Sequence, residues 1–250
     1  MTDDRAARAA SLLLAARKSG KGTAFPEDIR PRNMDEVYAI QSAVAREIGP
    51  IQGWKTGAPS PEAEAAYAPI FTVVPSPASF PAAGQKLFGI EAEVAFRFAR
   101  NLPRRGTPYT RADIIAAIAS AHPVIELVDT RFADWKSTDA LSKVADFQSN
   151  AALIYGAEIP GWQDLELVRP PITITANGAP LGKTKGNSGG DPLRLVTDLA
   201  NHCAATGEGL RAGTMVTSGS ITGIDFAKAG DKVVADFGRL GTVRVDLPTA

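Results

Sequence analysis

Apolar positions recur at helical spacing through the first fifty residues, and beyond them they fall into short runs separated by Gly, Pro and Asn. A first helix is predicted from about Asp4 to Lys18, with Leu12, Leu13 and Leu14 facing a partner and Ser19-Gly20 as the stop. A second begins after Asn33, with Glu36 three residues on in a capping pattern. It carries Val37, Ile40, Gln41 and Val44 inward and ends at Gly49-Pro50.

The body opens at Ile51-Gln52-Gly53-Trp54-Lys55. Pro59 to Pro77 reads as a long loop, and Ile90 to Phe98 as a strand. Thr110 and Asp113 cap a helix that carries Ile114, Ile115 and Ile118 and closes at His122-Pro123. Val124 to Val128 is the next strand, and Asp129 to Phe147 a long polar connection of the kind that often serves function. Ile172 to Ala176 leads into an Asn177-Gly178 hairpin turn. Asp191-Pro192 starts a helix that reaches about Thr206 and stops at Gly207. The end is β: Met215 to Thr222, Lys232 to Phe237, a turn over 238–241, and Thr242 to Leu247. Helices and strands without regular βαβ alternation predict an α+β fold with a mainly antiparallel or mixed sheet. The expected organisation is a helical segment over 1–50 and a body over 51–250, together one compact domain.

Composition narrows the function. Lys plus Arg and Asp plus Glu are each 27 in 250 residues, so no basic excess favours nucleic acid. One cysteine, Cys203, gives no internal disulfide and no thiolate zinc site, in keeping with a reducing cytoplasm. No apolar run approaches a membrane span or a signal peptide.

Carboxylates supply the chemistry. On the Ile90 to Phe98 strand, Glu91, Glu93, Ala95 and Arg97 share one face. Two such glutamates lie about 7 Å apart, and close packing without a cation would force a proton onto one of them. A hard divalent cation with oxygen ligands resolves that conflict. The competing reading is a solvated face on which Arg97 neutralises one acid. Glu126, inside the apolar run from Pro123 to Val128, shifts the balance, since a glutamate there is costly unless paired or coordinated. Asp129 is the rival third acid.

These residues sit in a recognisable order. Gly53-Trp54-Lys55-Thr56-Gly57, Glu91-Ala92-Glu93, Ile125-Glu126-Leu127-Val128-Asp129-Thr130-Arg131 and Ala133-Asp134-Trp135-Lys136 come first. Val144-Ala145-Asp146 with Ser149, Gly209-Leu210-Arg211-Ala212-Gly213, Ser218-Gly219-Ser220 and the segment Gly230-Asp231 to Gly238 follow. From Tyr38 nearly to the end, the chain resembles the 2-keto-4-pentenoate hydratase / 4-oxalocrotonate decarboxylase family of the fumarylacetoacetate hydrolase superfamily.

The resemblance implies N-terminal helices followed by a fumarylacetoacetate-hydrolase-like mixed β-roll or sandwich body. It implies Mg²⁺ or Mn²⁺ on Glu91, Glu93 and Glu126, and a small 2-oxo or 2-hydroxydienoic acid as substrate. The activity implied is a hydro-lyase adding water to a 2-hydroxy-2,4-dienoate, the cation serving as Lewis acid and template for the enolate. Lys55 corresponds to a lysine facing the substrate, as charge partner or proton carrier. Ser149 corresponds to a serine beside it, and Ser218, Ser220 and Thr222 to a strand end approaching it. Ordinary readings stand alongside: a surface lysine, a capping serine, turn hydroxyls. A cytoplasmic homo-oligomer acting in aromatic catabolism, without nucleic-acid or membrane partners, completes the expectation. Decarboxylation of an oxalocrotonate-type diacid and a non-catalytic binding member of the fold are the alternatives. Acylpyruvate hydrolysis calls for a histidine, and none is suitably placed; His122, His202 and Cys203 read as structural.

One motif departs from the family. The loop after the lysine there carries an acid, whereas this chain has Ala66-Tyr67-Ala68-Pro69, with Glu62 and Glu64 too early to replace it.

Overall fold

A computed structural model describes residues 2–81, 84–207 and 209–249. Two helices lead, α1 (Thr2–Ser19) and α2 (Met34–Ile48). The Asn33 side chain accepts from the Glu36 amide at 2.9 Å, and Glu36 answers by accepting from the Arg32 amide, one residue earlier than a capping box requires. Then come β1 (Gly53–Gly57), β2 (Ala66–Ile70), β3 (Val73–Pro75), β4 (Ala78–Ser79), β5 (Gly89–Phe98), α3 (Arg111–Ala117), β6 (Ile118–Val128), α4 (Ala140–Ala145) and β7 (Asn150–Tyr155). The remainder is β8 (Thr173–Ala176), β9 (Ala179–Lys183), α5 (Pro192–Thr206), β10 (Met215–Thr217), β11 (Asp225–Phe226), β12 (Lys232–Asp236) and β13 (Thr242–Asp246).

The strands form two sheets. The larger, mixed sheet runs β2-β1-β10-β5-β6-β7-β3, with β11 also on β5; the smaller runs β4-β13-β12-β8-β9. Its β8–β9 hairpin turns on Asn177 and Gly178, with φ of 52° and 82°, the left-handed pair that a two-residue turn needs. The architecture is thus mixed helix and sheet with leading helices.

Alternation sorts the large sheet into two chemically different faces. Ile90, Ala92, Val94, Phe96 and Phe98 of β5 enter the main core with Ile125 and Leu127 of β6, with α3 and α5, and with Val233, Ala235, Val243 and Val245 of the smaller sheet. The opposite face carries a small apolar floor of Ile70, Ala95, Val124, Leu153 and Met215. Beside it, α1 and α2 bury Leu13, Val37, Ile40 and Val44 against Ala68, Phe132, Ala145 and Phe147 of the body.

Several segments differ from the sequence expectation. Residues 59–77 are not one loop, because they contain β2 and β3. Their Pro69 and Pro75 are accommodated because these two strands are the sheet's edges, where a missing donor is tolerated. His122-Pro123 does not close a helix. Thr110 and Asp113 do form a full capping box, but α3 ends at Ala117 and Ile118 is already extended. β6 then runs through His122 and Pro123, where pairing with β7 has just stopped. The 129–147 connection contains α4, capped by Asp139. The expected strand from Met215 to Thr222 stops at Thr217, and the chain loops out through Gly219 and Gly223, with φ of 97° and 68°.

Candidate metal centre

β5 and β6 pair over their whole length in a register that sets Glu91 directly opposite Glu126 and Glu93 opposite Val124. All three carboxylates therefore project from one face, and one oxygen from each lies within 4.8 Å of the others. Glu93 and Glu126 are fully buried and Glu91 is half-open.

The β5 edge beside them is built for this. β10 covers Ala95 to Arg97 and β11 covers Gly89 and Ile90. Between the two, the 218–222 loop takes over the hydrogen bonding, with the Ser218 amide on Val94 O and the Ile221 amide on Ala92 O. Its curl delivers the Thr217 hydroxyl and, at 2.9 Å, the Gly219 amide to Glu93 Oε2. Gly219 is required there: its φ is 97°, and a Cβ would stand 3.2 Å from the Asn187 side chain.

Lys55 enters from β1. Its ammonium donates to Glu126 Oε1 and, at 3.4 Å, to the Gln148 carbonyl. Burial pushes its pKa down, but Glu126, Glu91 and Glu93 together reverse that and the net shift is upward, so the lysine is charged. Burial, then Glu126 and Glu91, push Glu93 up to about 8 against the pull of Lys55 and the Thr217 hydroxyl. Glu91 is raised by burial and by Glu126, with Lys55 opposing.

A divalent cation fits these residues. Glu126 Oε2 is buried without a partner, an expensive condition for a carboxylate oxygen. With all three glutamates deprotonated, as metal ligation requires, one ammonium beside them leaves two negative charges, matching the charge of one such ion. The donors are all oxygen, as hard cations prefer.

Besides Lys55, three more of the five expected substrate-facing groups already have definite partners. The buried Ser149 Oγ accepts from Trp135 Nε1 at 3.0 Å. The Ser218 hydroxyl donates to Val94 O at 2.7 Å, and Thr222 Oγ1 accepts from the Ala92 amide at 3.1 Å, so both tie the loop to β5. Ser220 Oγ is buried beside Glu91, whose pKa it draws down. Asp129, the rival third acid, instead accepts from the amides of Lys86 and Leu87 at 2.8 and 3.0 Å. Lys136 is exposed, and His202 packs against the rings of both Tyr38 and Tyr67.

Sequence reasoning missed the turn that carries Gln148 and Ser149. Phe147, Gln148 and Ser149 all have positive φ (55°, 52° and 60°), unfavourable by about 1–2 kcal/mol each for non-glycine residues. Arg131 clamps the turn from both ends. It pairs with the Asp146 carboxylate and donates to the carbonyls of Asp146 at 2.7 Å and Asn150 at 2.9 Å. Nothing local in the sequence signals this, because Arg131 and Asp146 meet only in space. Thr217 was also missed, although the adjoining Ser218-Gly219-Ser220 does announce a tight turn.

Against this geometry the relatives can be placed. Residues 37–247 match the family model for the fumarylacetoacetate (FAA) hydrolase C-terminal region. The chain belongs to the fumarylacetoacetate hydrolase family. Within it, the chain is 30% identical over 262 aligned positions to 2-keto-4-pentenoate hydratase of Burkholderia vietnamiensis, with 98% of each protein covered. It is 32% identical over 155 residues to 4-oxalocrotonate decarboxylase of Pseudomonas putida, an alignment spanning 62% of this chain but 58% of that protein. The 2-hydroxyhexa-2,4-dienoate hydratase of Comamonas testosteroni is likewise 32% identical over 156 residues and covered over only 58% of its length. In fold, the chain is similar to 4-oxalocrotonate decarboxylase from Pseudomonas putida G7 solved with calcium and acetate, at a TM-score of 0.83 and 24% identity, covering 99% of this chain and 98% of that one. These relatives are enzymes named as hydratases and decarboxylases.

Proposed function

We propose that this protein is a metal-dependent hydro-lyase that adds water to a 2-hydroxy-2,4-dienoate of the 2-keto-4-pentenoate type. The observation that carries the reading is the convergence of Glu91, Glu93 and Glu126, with an orphan oxygen on Glu126, beside a charged Lys55. Mg²⁺ or Mn²⁺ on these three glutamates would supply Lewis acidity toward an enolate and a fixed point for the substrate's carboxylate end.

The chain's own groups do the rest. Lys55 offsets the charge of Glu126 and presents a positive, proton-bearing group where the substrate's oxygen gains charge. The Ser220 hydroxyl lies beside Glu91, and Trp135 fixes the Ser149 hydroxyl one residue from the Gln148 carbonyl that Lys55 contacts. Formation of the 2-oxo tautomer moves the 2-hydroxyl proton to the terminal carbon, and water then adds at the next carbon in. The small substrate, the homo-oligomer and the cytoplasmic location belong to the same reading. Among the described residues no helix is long and apolar enough to cross a membrane.

A specific observation favours decarboxylation as the second reading. In Ala66-Tyr67-Ala68 of β2, the stretch where the resembling family carries an acid ahead of the aromatic residue, Ala66 pairs with Gly57 and no acid is present, and Glu62 and Glu64 are exposed. Decarboxylation of an oxalocrotonate-type diacid needs the stabilised enolate but no activated water.

Chelator-stripped protein, assayed by ultraviolet absorbance on 2-hydroxypenta-2,4-dienoate and in parallel on 2-oxo-3-hexenedioate, tests both. Turnover of the dienoate restored by Mg²⁺ or Mn²⁺ and abolished in Glu93→Gln supports the hydratase. Release of CO₂ from the diacid, with the dienoate untouched, replaces it with the decarboxylase.

A further inference from the structure

On the reverse side of β1, where Trp54 rather than Lys55 points, lies a cavity of about 560 Å³ that the metal centre does not use. Its size falls within the range of small-molecule pockets. Tyr38, Gln41 and Arg46 of α2, Trp54 of β1, His202 of α5 and Arg211 of the loop before β10 face into it.

Tyr38, Trp54 and His202 supply aromatic rings to its walls. Tyr38 and His202 have centroids 4.5 Å apart, and His202 lies 4.6 Å from Tyr67 behind it. The charge is of one sign, because both arginines line the cavity and, among the described residues, no Asp or Glu does. Neither guanidinium has an ion-pair partner among the described residues. Arg46 spends only its Nε, on the Ser42 carbonyl at 3.3 Å. The acids nearest the ring stack do not compete: Asp198 pairs with Arg194, and Glu64 and Asp35 are exposed. Burial lowers the His202 pKa, so its ring is neutral near pH 7 and adds no repulsion to a flat ligand.

We propose that this cavity is a second small-molecule site, for a planar organic anion such as an aromatic or conjugated carboxylate. Its flat part lies among Tyr38, Trp54 and His202, and its carboxylate meets Arg46 or Arg211. The guanidinium fork matches a carboxylate in two parallel hydrogen bonds, and aromatic faces favour a flat partner over a branched one. A cationic ligand is disfavoured by two unpaired positive charges, and a purely apolar one leaves both arginines unanswered. The site is independent of the glutamates, which project from the other face of the sheet.

The test uses 4-fluorobenzoate on the full chain in excess chelator, followed by fluorine NMR line broadening and by calorimetry. Saturable binding at one per chain is expected. Arg211→Ala and Arg46→Ala should each weaken it about tenfold, the scale of one charge-assisted contact. Both side chains are exposed, and thermal melts check that the variants remain folded. Absence of saturable binding overturns the proposal. So does binding that appears only with added Mg²⁺, which would place the anion at the carboxylate centre. Light scattering on the same samples covers the remaining case: dissociation of an oligomer by Arg46→Glu, with no fluorobenzoate bound by the original protein, assigns the cavity to a subunit contact and overturns it as well.

Discussion

Glu91 and Glu126 face each other across the β5–β6 pair, two acids in direct cross-strand register on a partly buried sheet face. Like charges so placed destabilise a sheet unless something lies between them. The arrangement is thus costly to the empty protein and is relieved by a cation. In chelator at pH 8, Glu91→Gln should stabilise the protein by about 1 kcal/mol, raising Tm by about 2–4 °C. With Mg²⁺ present the order should reverse, the unaltered protein melting higher. Scanning calorimetry in both buffers decides it, and a variant less stable in chelator would remove the argument from repulsion.

Lys55 is the counterweight. Replacing it with Met leaves Glu126 buried without a positive partner, and the expected cost is about 3–5 kcal/mol. Urea denaturation measures the loss, and turnover should disappear beyond what stability explains. Lys55→Arg should not restore activity, since a forked guanidinium does not fit the place of a point charge.

Proton binding gives a pH signature. The metal-free folded Glu93 holds its proton up to about 8, against an ordinary value of 4.5. Between those limits the folded state binds more protons than the unfolded chain, so this group makes the metal-free protein lose stability as pH rises through the window. A metal must displace that proton, so its affinity should climb with pH and level off above about 8. Melts across pH 5–9 in chelator and Mg²⁺ titrations over the same range test the two slopes. A metal affinity independent of pH would show that Glu93 is not protonated in the empty site.

The turn over 147–149 depends on a pair remote from the carboxylates. Burial raises the Asp146 pKa, with Arg131 and its hydrogen bonds opposing. Asp146→Asn should cost about 3–5 kcal/mol by leaving Arg131 buried and unpaired. Because Gln148 and Ser149 ride on that turn, kcat should fall while metal affinity, set by β5 and β6, stays near its original value. Metal titration beside steady-state kinetics separates the two effects.

The sequence by itself determined the elements with local causes. Asn33, Thr110-Asp113 and Asp191-Pro192 started helices and Asn177-Gly178 made a hairpin, because caps and turns depend on residues a few positions apart. Alternation placed Glu91 and Glu93 on one strand face, and the burial of Glu126 marked it as unusual, so the candidate ligands were legible once the family resemblance was added. What the sequence left open required partners far along the chain. Period-2 patterning cannot say which strand lies beside which, so the register joining Glu91 to Glu126 came only from pairing. The helix expected to run to His122 became strand because residues 118–123 pair with β5 on one side while Ala121 and Pro123 accept from the Ile159 and Gly156 amides on the other, a tertiary effect stronger than helix propensity. The left-handed turn at 147–149 exists against local preference because Arg131, more than a dozen residues earlier, grips it. Local chemistry named the candidate groups, and long-range packing decided how close together they stand and which way their proton affinities shift.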